Sequence, residues 1–237
     1  MTEWNASPEA TGGRRASAVE RRRQALAAGD GALRLRAAMD AGTRPDPTDV
    51  EVLVERCRIE PDFFVRDMLT WSLTRHPADV TVPLLVAELG STVPQARSQV
   101  LHTLSKIGDR SAWPHLTDAL LRDEDDDVAR AAWRAAVVLV PAGAEATLAE
   151  VLVTQLGRGT AGHGSTDVQR SLSRALVEVG DAAEAPLTRA TTSPHEAVRV
   201  HAEATLRLRD DPDAGFAGAL EEAKRVRALG AEGRELG

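Results

Sequence analysis

The sequence predicts an all-α protein built from repeated helix pairs. Of its 237 residues, 43% are hydrophobic but only 3% are aromatic, and 40 are Ala, the best helix former. The β-branched and aromatic residues that alternate along the strands of a sandwich or barrel are scarce. Apolar residues instead recur at every fourth position, in segments that start about 30 residues apart.

Five predicted helices align on one apolar residue each, which we call the anchor. Successive anchors lie 31, 32, 40 and 30 residues apart, and apolar residues follow four and eight positions after each one. Positions i, i+4 and i+8 form one stripe on a helix, and stacking neighbouring units buries it. The anchors are Val65, Ala96, Val128, Val168 and Val198; the +4 residues are Leu69, Val100, Ala132, Leu172 and Ala202; the +8 residues are Leu73, Leu104, Ala136, Leu176 and Leu206.

Gly and Pro mark the predicted ends of these helices. Gly108 and Gly180 end two units, and Pro77 and Pro141 follow the ends of two others. A further Pro precedes three anchors by 12 to 14 residues, and we expect it in the first turn of the first helix of each pair. These three residues are Pro83, Pro114 and Pro186.

The segments Asp127–Ala132 and His195–Val200 resemble HEAT repeats, whose outline is Pro-x-Leu, then Asp-Val-x-Arg-x-Ala, then a Gly-Asp stop. The short period is similar to that of compact bacterial HEAT-like proteins and phycobilin lyases. The resemblance covers residues 48–210 and implies an α-solenoid, an α-α superhelix whose second helices line the concave surface. We therefore expect a single right-handed α-solenoid of about five helix pairs with helical caps.

The sequence also predicts the segments on either side of this array and one insertion within it. Ser17 is a candidate N-cap for a helix that ends before Gly29, and Asp30 is a candidate N-cap for a second short helix. Gly157–Gly164 supplies the extra residues of the fourth unit and is predicted to be a flexible loop. The expected segments are a disordered lead at 1–16, a helical cap at 17–47, the repeats at 48–210, a capping helix at 211–229 and a disordered tail at 230–237.

Charge and cysteine content restrict the classes of function. The net charge is −7, whereas a chain that coats nucleic acid is usually basic. Cys57 is the only cysteine, so no intrachain disulfide can form, and its predicted state is a buried apolar group. The first residues show no apolar run typical of a secretory signal, and no stretch is long enough for a membrane helix. We expect a cytoplasmic protein.

The residues between the buried stripes predict a binding surface. If the second helices line a groove, positions +2, +6 and +10 after each anchor face it. The +6 row is Trp71, His102, Arg134, Arg174 and Ala204; Arg130 and Arg170 stand at +2, and Arg75 and Lys106 at +10. We predict that Trp71, Arg75, His102, Lys106, Arg130, Arg134, Arg170 and Arg174 contact a partner.

Two interpretations of the arginines remain open at this point. Arg130 with Arg134, and Arg170 with Arg174, are like-charge pairs at i, i+4, which cost a helix a few tenths of a kcal/mol. Local acids could offset that repulsion, with the arginine stems covering apolar surface. Alternatively, the arginines form a basic strip for an acidic peptide or for phosphates. Trp71 is equally consistent with a core edge and with a recognition surface.

Catalytic and metal-binding patterns are not apparent. The acidic run at 123–127 lacks the alternating ligands of a calcium loop and is predicted to cap a helix, as is Asp167. His195 is expected in a loop and His201 on a helix, without the spacing of a zinc site. Gly157–Gly164 lacks the ending of a phosphate-binding loop. We expect no catalytic residue, no metal and no cofactor.

The function predicted first is a non-enzymatic scaffold or adaptor that binds a protein partner, with an acidic partner segment as one option. The alternative is a nucleic-acid-binding protein. Alkylpurine DNA glycosylases resemble this chain in fold and use aromatic residues with an Asp in a basic groove, a role that Trp71 and Asp67 could take. Phycobilin lyases share the short units, but no catalytic residue can be carried over from them.

Overall fold

The computed structural model describes residues 18–159 and 165–235 as a succession of helices, and no strand occurs within them. The helices form two compact units, with the boundary between His115 and Leu116. Within each unit the second helices of successive pairs pack side by side, and the first helices pack behind them. The all-α, helical-repeat fold class predicted from the sequence is confirmed.

The first unit places α4 between two other second helices. Helix α4 packs against α2 on one side and α6 on the other, while α3 and α5 form the layer behind them. The helices are α1 at 18–26, α2 at Gly31–Thr43, α3 at Val50–Cys57, α4 at Phe63–Arg75, α5 at Ala78–Glu88 and α6 at Pro94–Ile107, and a 3₁₀ turn follows at Arg110–His115.

The second unit repeats the arrangement and adds a long terminal helix. Helix α10 packs between α8 and α12, and α7, α9 and α11 lie behind them; the last helix, α13, packs on α12. The helices are α7 at Asp118–Leu121, α8 at Asp126–Leu139, α9 at Glu145–Val153, α10 at Ser165–Val179, α11 at Glu184–Ala190, α12 at Glu196–Asp210 and α13 at Gly215–Glu235.

The predicted apolar stripe forms the core of both units. Every anchor, +4 and +8 residue is buried except Val198 and Leu206, which are half-buried. Both exceptions belong to α12, the last of the repeated helices. They are less covered because α13, which follows, packs on a different face of α12 from the one that carries the stripe.

Side-chain caps fix the starts of several helices, as the sequence predicts. Asp30 accepts a hydrogen bond of 2.8 Å from the backbone N–H of Ala32, and Asp125 accepts two from the first turn of α8. Gly108 ends α6 with φ of 72°, a left-handed conformation that residues with a Cβ rarely adopt. The prediction that the acidic run at 123–127 supplies a helix cap is therefore confirmed, with Asp125 as the N-cap residue of α8.

Other predicted boundaries differ from the structure. Pro83 lies inside α5 and not in its first turn, because the helix already begins at Ala78 after Pro77. Asp167 is not an N-cap, since α10 begins at Ser165. Helix α13 continues to Glu235, six residues past the predicted end at Leu229. Ser17 and most of the predicted Gly157–Gly164 loop lie outside the described residues.

A buried carboxylate organises the first unit. Glu60, in the turn between α3 and α4, receives hydrogen bonds of 2.8 and 2.9 Å from Arg34 of α2 and of 2.7 Å from Arg56 of α3. Burial alone would raise the pKa of Glu60, but the bonds from Arg34, from the backbone N–H of Asp62 and from Arg56 outweigh it, and the pKa is held below its ordinary value. Arg34 also donates to the carbonyls of Ala28 and Gly29, which holds the turn between α1 and α2 at the same point.

An arginine directly after three of the anchors fastens each second helix to the loop before it. Arg66 donates to the carbonyl of Glu60 at 3.0 Å, Arg97 to that of Ser91 at 2.9 Å, and Arg199 to that of Ser193 at 2.7 Å. These carbonyls stand at the turn between the two helices of a pair. The arginines therefore hold the first turn of each of these second helices against the preceding turn.

Candidate protein-binding surface

The +6 row is exposed over most of its length. Trp71 on α4, Arg134 on α8 and Arg174 on α10 are exposed, and His102 on α6 is half-buried. At +10, Arg75 and Lys106 are exposed in the last turns of α4 and α6, where their charge is favourable to the helix dipole. Trp71, His102, Arg75 and Lys106 belong to the first unit, and the four predicted arginines of α8 and α10 belong to the second.

Trp71 is at once a packing residue and an exposed one. A Cβ added to Gly42 of α2 would stand 2.7 Å from Cε3 of Trp71, so the helix and the indole ring are in close contact. The side chain nevertheless keeps 38% of its surface exposed. Both interpretations of Trp71 from the sequence therefore hold in part, since one edge of the ring packs on α2 and the remainder faces solvent.

The +2 arginines of the second unit have local partners. Arg130 lies 3.5 Å from Asp127, and it donates to Ser171 of α10 at 3.1 Å. Arg170 lies 2.8 Å from Asp167 in the same helix. Both carboxylates stand three residues before their arginine, so at the +2 row local acids offset the repulsion between arginines.

The +6 arginines are placed differently. Among the side chains that the structure describes, no carboxylate lies within ion-pair distance of Arg174. Glu178, one turn later on α10, is exposed and forms no ion pair with it. Arg134 is exposed on the neighbouring helix α8, which packs directly against α10. Arg174 therefore adds positive charge beyond the +2 arginines that local acids neutralise, and Arg134 is exposed on the adjacent helix.

The row ends at α12 because α13 covers the corresponding face. Ala204, the +6 residue of α12, is fully buried, and Val200 at +2 and Leu208 at +10 are buried with it. These three residues form one apolar cluster with the α13 residues Phe216, Ala219, Leu220 and Ala223. Phe216, Leu220 and Ala223 of α13 therefore cover the +2, +6 and +10 face of α12.

A family model described as HEAT repeats matches residues 65–136. This segment begins at the first anchor, Val65, and ends at the +8 residue of the third anchor, Ala136. Residues 65–136 are HEAT repeats. The match lies within the 48–210 region where the sequence resembles such repeats, and it crosses both compact units. Comparison with curated proteins found no match.

The repeated helices of both units carry a buried polar seam that the sequence analysis did not find. Gln99 of α6 donates to the hydroxyl of Thr70 on α4 at 2.7 Å, and Thr103 contacts the same hydroxyl at 3.1 Å. In the second unit, Ser173 of α10 contacts His201 at 3.0 Å and Thr205 of α12 at 2.7 Å. Counted from the anchor of each helix, Thr70 and Ser173 stand at +5, and their partners stand at +3 and +7 in the next second helix. The same seam therefore recurs in two different repeats.

His201 is the most perturbed ionisable group of the second seam. Its Nδ1 accepts the backbone N–H of Gly157 at 3.1 Å, so Nε2 carries the proton and donates to the carbonyl of Gln169 at 3.1 Å. Burial lowers the pKa of His201 to about 4, against a smaller opposing effect of the bond to Gln169. His201 is thus a neutral core residue of α12, and His195 is the N-cap residue before that helix.

Phe63 and Phe64, at the start of α4, form an exposed aromatic pair that the sequence analysis also missed. Their rings meet edge to face at 5.7 Å, with 66% and 70% of the residue surfaces exposed, and Arg66 lies 5.9 Å from the centre of the Phe63 ring. Ile59, in the preceding turn, is exposed as well. The chain contains only three Phe, and two of them are adjacent in the sequence. That adjacency is the sequence feature that could have indicated the pair.

The residues considered for catalysis or metal binding are dispersed. Asp67 and Trp71 lie one turn apart on α4, and both are exposed. Burial raises the pKa of the Cys57 thiol to about 12, which confirms its prediction as a buried apolar group. In the part of the chain that the structure describes, no three His, Cys, Asp or Glu side chains are grouped as a metal site would require. None of the described helices is long and apolar enough to cross a membrane.

Proposed function

We propose that this HEAT-repeat protein is a non-enzymatic scaffold that binds an acidic segment of a protein partner. The binding surface in this proposal is the exposed face of the second helices, with Arg134 and Arg174 as its charged centre. The observation that carries the proposal is the contrast between Arg174 and the two +2 arginines of the same unit. Arg130 and Arg170 are neutralised by local acids, whereas Arg174 has no such carboxylate within the described residues.

The surface also suits a protein partner by residue type. Arg and Trp dominate the binding energy of protein interfaces, and the +6 positions supply exposed Arg134 and Arg174 in the second unit and exposed Trp71 in the first. An arginine can hold a carboxylate through two parallel hydrogen bonds, which gives direction as well as charge. The overall charge of −7 disfavours a nucleic acid as the partner, because negative charge elsewhere on the chain would repel phosphates.

We further propose that the protein works in the cytoplasm. Its one thiol, Cys57, is buried, and no second cysteine exists with which it could form an intrachain disulfide. A protein of this kind requires no oxidising compartment for its stability.

The test is affinity capture from a lysate of the source cells, with and without nuclease. The bait is the full chain, either unchanged or with Arg134→Glu and Arg174→Glu together. The control bait carries Arg110→Glu and Arg189→Glu, which have the same change in charge but lie outside the second helices. Circular dichroism must show equal helicity for all three.

We expect discrete protein partners that survive nuclease with the unchanged and control baits, and their loss with the Arg134→Glu, Arg174→Glu bait. Equal capture by that bait would remove the +6 arginines from the binding surface. Partners that disappear on nuclease treatment, with nucleic acid recovered, would replace the proposed scaffold by a nucleic-acid-binding protein.

A further inference from the structure

A cleft of about 500 Å³ opens in the second unit between α10 and the beginning of α13. This volume is within the range of sites that bind ligands of a few hundred daltons. One wall carries Arg170 and Arg174 of α10, and the other is formed by the first turn of α13 from Gly215 to Gly218. The cleft therefore lies at the point where the exposed +6 row meets the helix that covers α12.

The charged part of the cleft favours an anion. The guanidinium of Arg174 has no carboxylate within ion-pair distance in the described part of the chain, and Arg170 is paired only with Asp167. The first turn of α13 contains no acidic residue, so its N–H groups add partial positive charge to the opposite wall. Glu178, also at the cleft, is the one acidic residue among the lining side chains.

The remainder of the cleft is apolar. Val177 is half-buried at the edge of the cluster that joins α12 and α13, and Leu208 and Phe216 are buried members of that cluster. Their side chains also line the cleft. An occupant that fits both parts combines an anionic group with an apolar group.

We infer that this cleft binds one apolar side chain of an acidic peptide segment, with Arg174 holding a neighbouring carboxylate. The inference rests on the proposed function and specifies where the partner segment enters the protein. A peptide is favoured because Arg174 belongs to both the cleft and the +6 row. A chain whose carboxylates follow Arg134 and Arg174 is thereby led to Val177 and Phe216, where an apolar side chain is buried.

The test uses the full chain with ¹⁵N-labelled glycine and three synthetic peptide probes. The first is acetyl-Glu-Glu-Leu-Glu-Glu-amide, the second has Ser in place of Leu, and the third has Gln in place of every Glu. The reporter is the amide resonance of Gly218, which lines the cleft. It is assigned by its loss in Gly218→Ala, where an added Cβ would meet nothing within 4 Å.

We expect the first probe to shift the Gly218 resonance in a saturable titration, and each of the other two to bind at least tenfold more weakly. Arg174→Ala should weaken binding of the first probe at least tenfold, and Val177→Ser should weaken it severalfold. Arg110→Ala, an exposed arginine outside the second helices, should leave the titration unchanged.

The outcomes separate the cleft from the surface as a whole. Arg134→Ala should weaken the probe while the Gly218 shift at saturation persists. A probe that binds and depends on Arg134, but leaves Gly218 unmoved, would overturn the cleft and leave the scaffold function intact. A probe that does not bind at millimolar concentration would also overturn the cleft, whereas the scaffold function is decided by the capture experiment.

Discussion

Gly42 of α2 and Trp71 of α4 are in such close contact that only a residue without a Cβ fits between the two helices. An added Cβ would lie 2.7 Å from Cε3 of the indole and 2.9 Å from the backbone Cα of Ser72. The packing of α2 on α4 therefore determines how much of Trp71 is available to a partner. Sequence alone could not decide between core and surface for Trp71, because the answer depends on a glycine 29 residues earlier in the chain.

Gly42→Ala should destabilise the first unit. The rigid indole and the backbone of Ser72 cannot both move away, and overpacking of this kind costs about 1–3 kcal/mol. We expect a loss of that size in the free energy of unfolding, measured by urea denaturation with far-ultraviolet circular dichroism.

The control for this substitution is Gly31→Ala in the first turn of the same helix. A Cβ there would make only ordinary contacts, the nearest 3.5 Å from Asp62, so stability should be equal or slightly higher. Equal effects of the two substitutions would contradict the contact between Gly42 and Trp71.

Glu60→Gln should destabilise the protein much more than the loss of a surface ion pair. The substitution leaves Arg34 and Arg56 with an uncharged partner in a buried site, and breaking a buried pair in this way costs roughly 3–5 kcal/mol. Because the pKa of Glu60 is lowered in the folded state, its contribution is present above the pKa of the unfolded carboxyl and is lost as the pH falls.

Glu55→Gln provides the comparison, since Glu55 pairs with Arg23 at the surface. Exposed pairs contribute about 0–1 kcal/mol, and we expect Glu55→Gln to lower the free energy of unfolding by no more than that. If Glu60→Gln cost no more than Glu55→Gln, Glu60 would not be the organising residue of the first unit.

His201 should make the second unit sensitive to acid. Its pKa is about 4 when folded, below the ordinary value of 6.5, so the unfolded chain binds a proton between these values and the folded chain does not. The contribution of His201 to the free energy of unfolding is therefore fully present above about pH 6.5. It decreases by about 3 kcal/mol in total as the pH falls toward 4. Denaturation at a series of pH values measures this loss.

His201→Gln isolates the contribution of the imidazole. Gln99 holds the equivalent +3 position in the first seam and donates to the hydroxyl of Thr70, so a Gln at 201 can make the same contact with Ser173. The difference in stability between His201→Gln and the unchanged protein should shift by about 3 kcal/mol between pH 7 and pH 4. A difference that stays constant with pH would show that His201 does not titrate in this range.

The repeated helices could be predicted because their pattern is local. Val65, Leu69 and Leu73 lie on one face of one helix, and the periodicity of that helix is enough to identify them. The bond between Gln99 and Thr70 could not be predicted in the same way, because it depends on how two helices are aligned with each other. The Arg66 contact with the carbonyl of Glu60 similarly depends on the shape of a turn.

The positions of the candidate surface could be predicted from the sequence, but the exposure and ion pairing of the individual residues could not. The +6 spacing identified Arg134 and Arg174, and both are exposed. The same spacing included Ala204, which is buried because α13 covers it. Spacing also could not separate Arg170, which has Asp167 as its partner, from Arg174, since that difference depends on side-chain geometry.

The most direct test of the central claim is a charge exchange across the binding surface, measured by fluorescence anisotropy at about 150 mM salt, where exposed charges beyond roughly 8 Å are screened. The probes are fluorescein-labelled Glu-Glu-Leu-Glu-Glu and Lys-Lys-Leu-Lys-Lys. We predict that the unchanged protein binds the first and not the second, and that the chain with Arg134→Glu and Arg174→Glu reverses this preference. Unchanged affinity of the altered chain for the acidic probe would contradict the claim that these arginines form the binding surface.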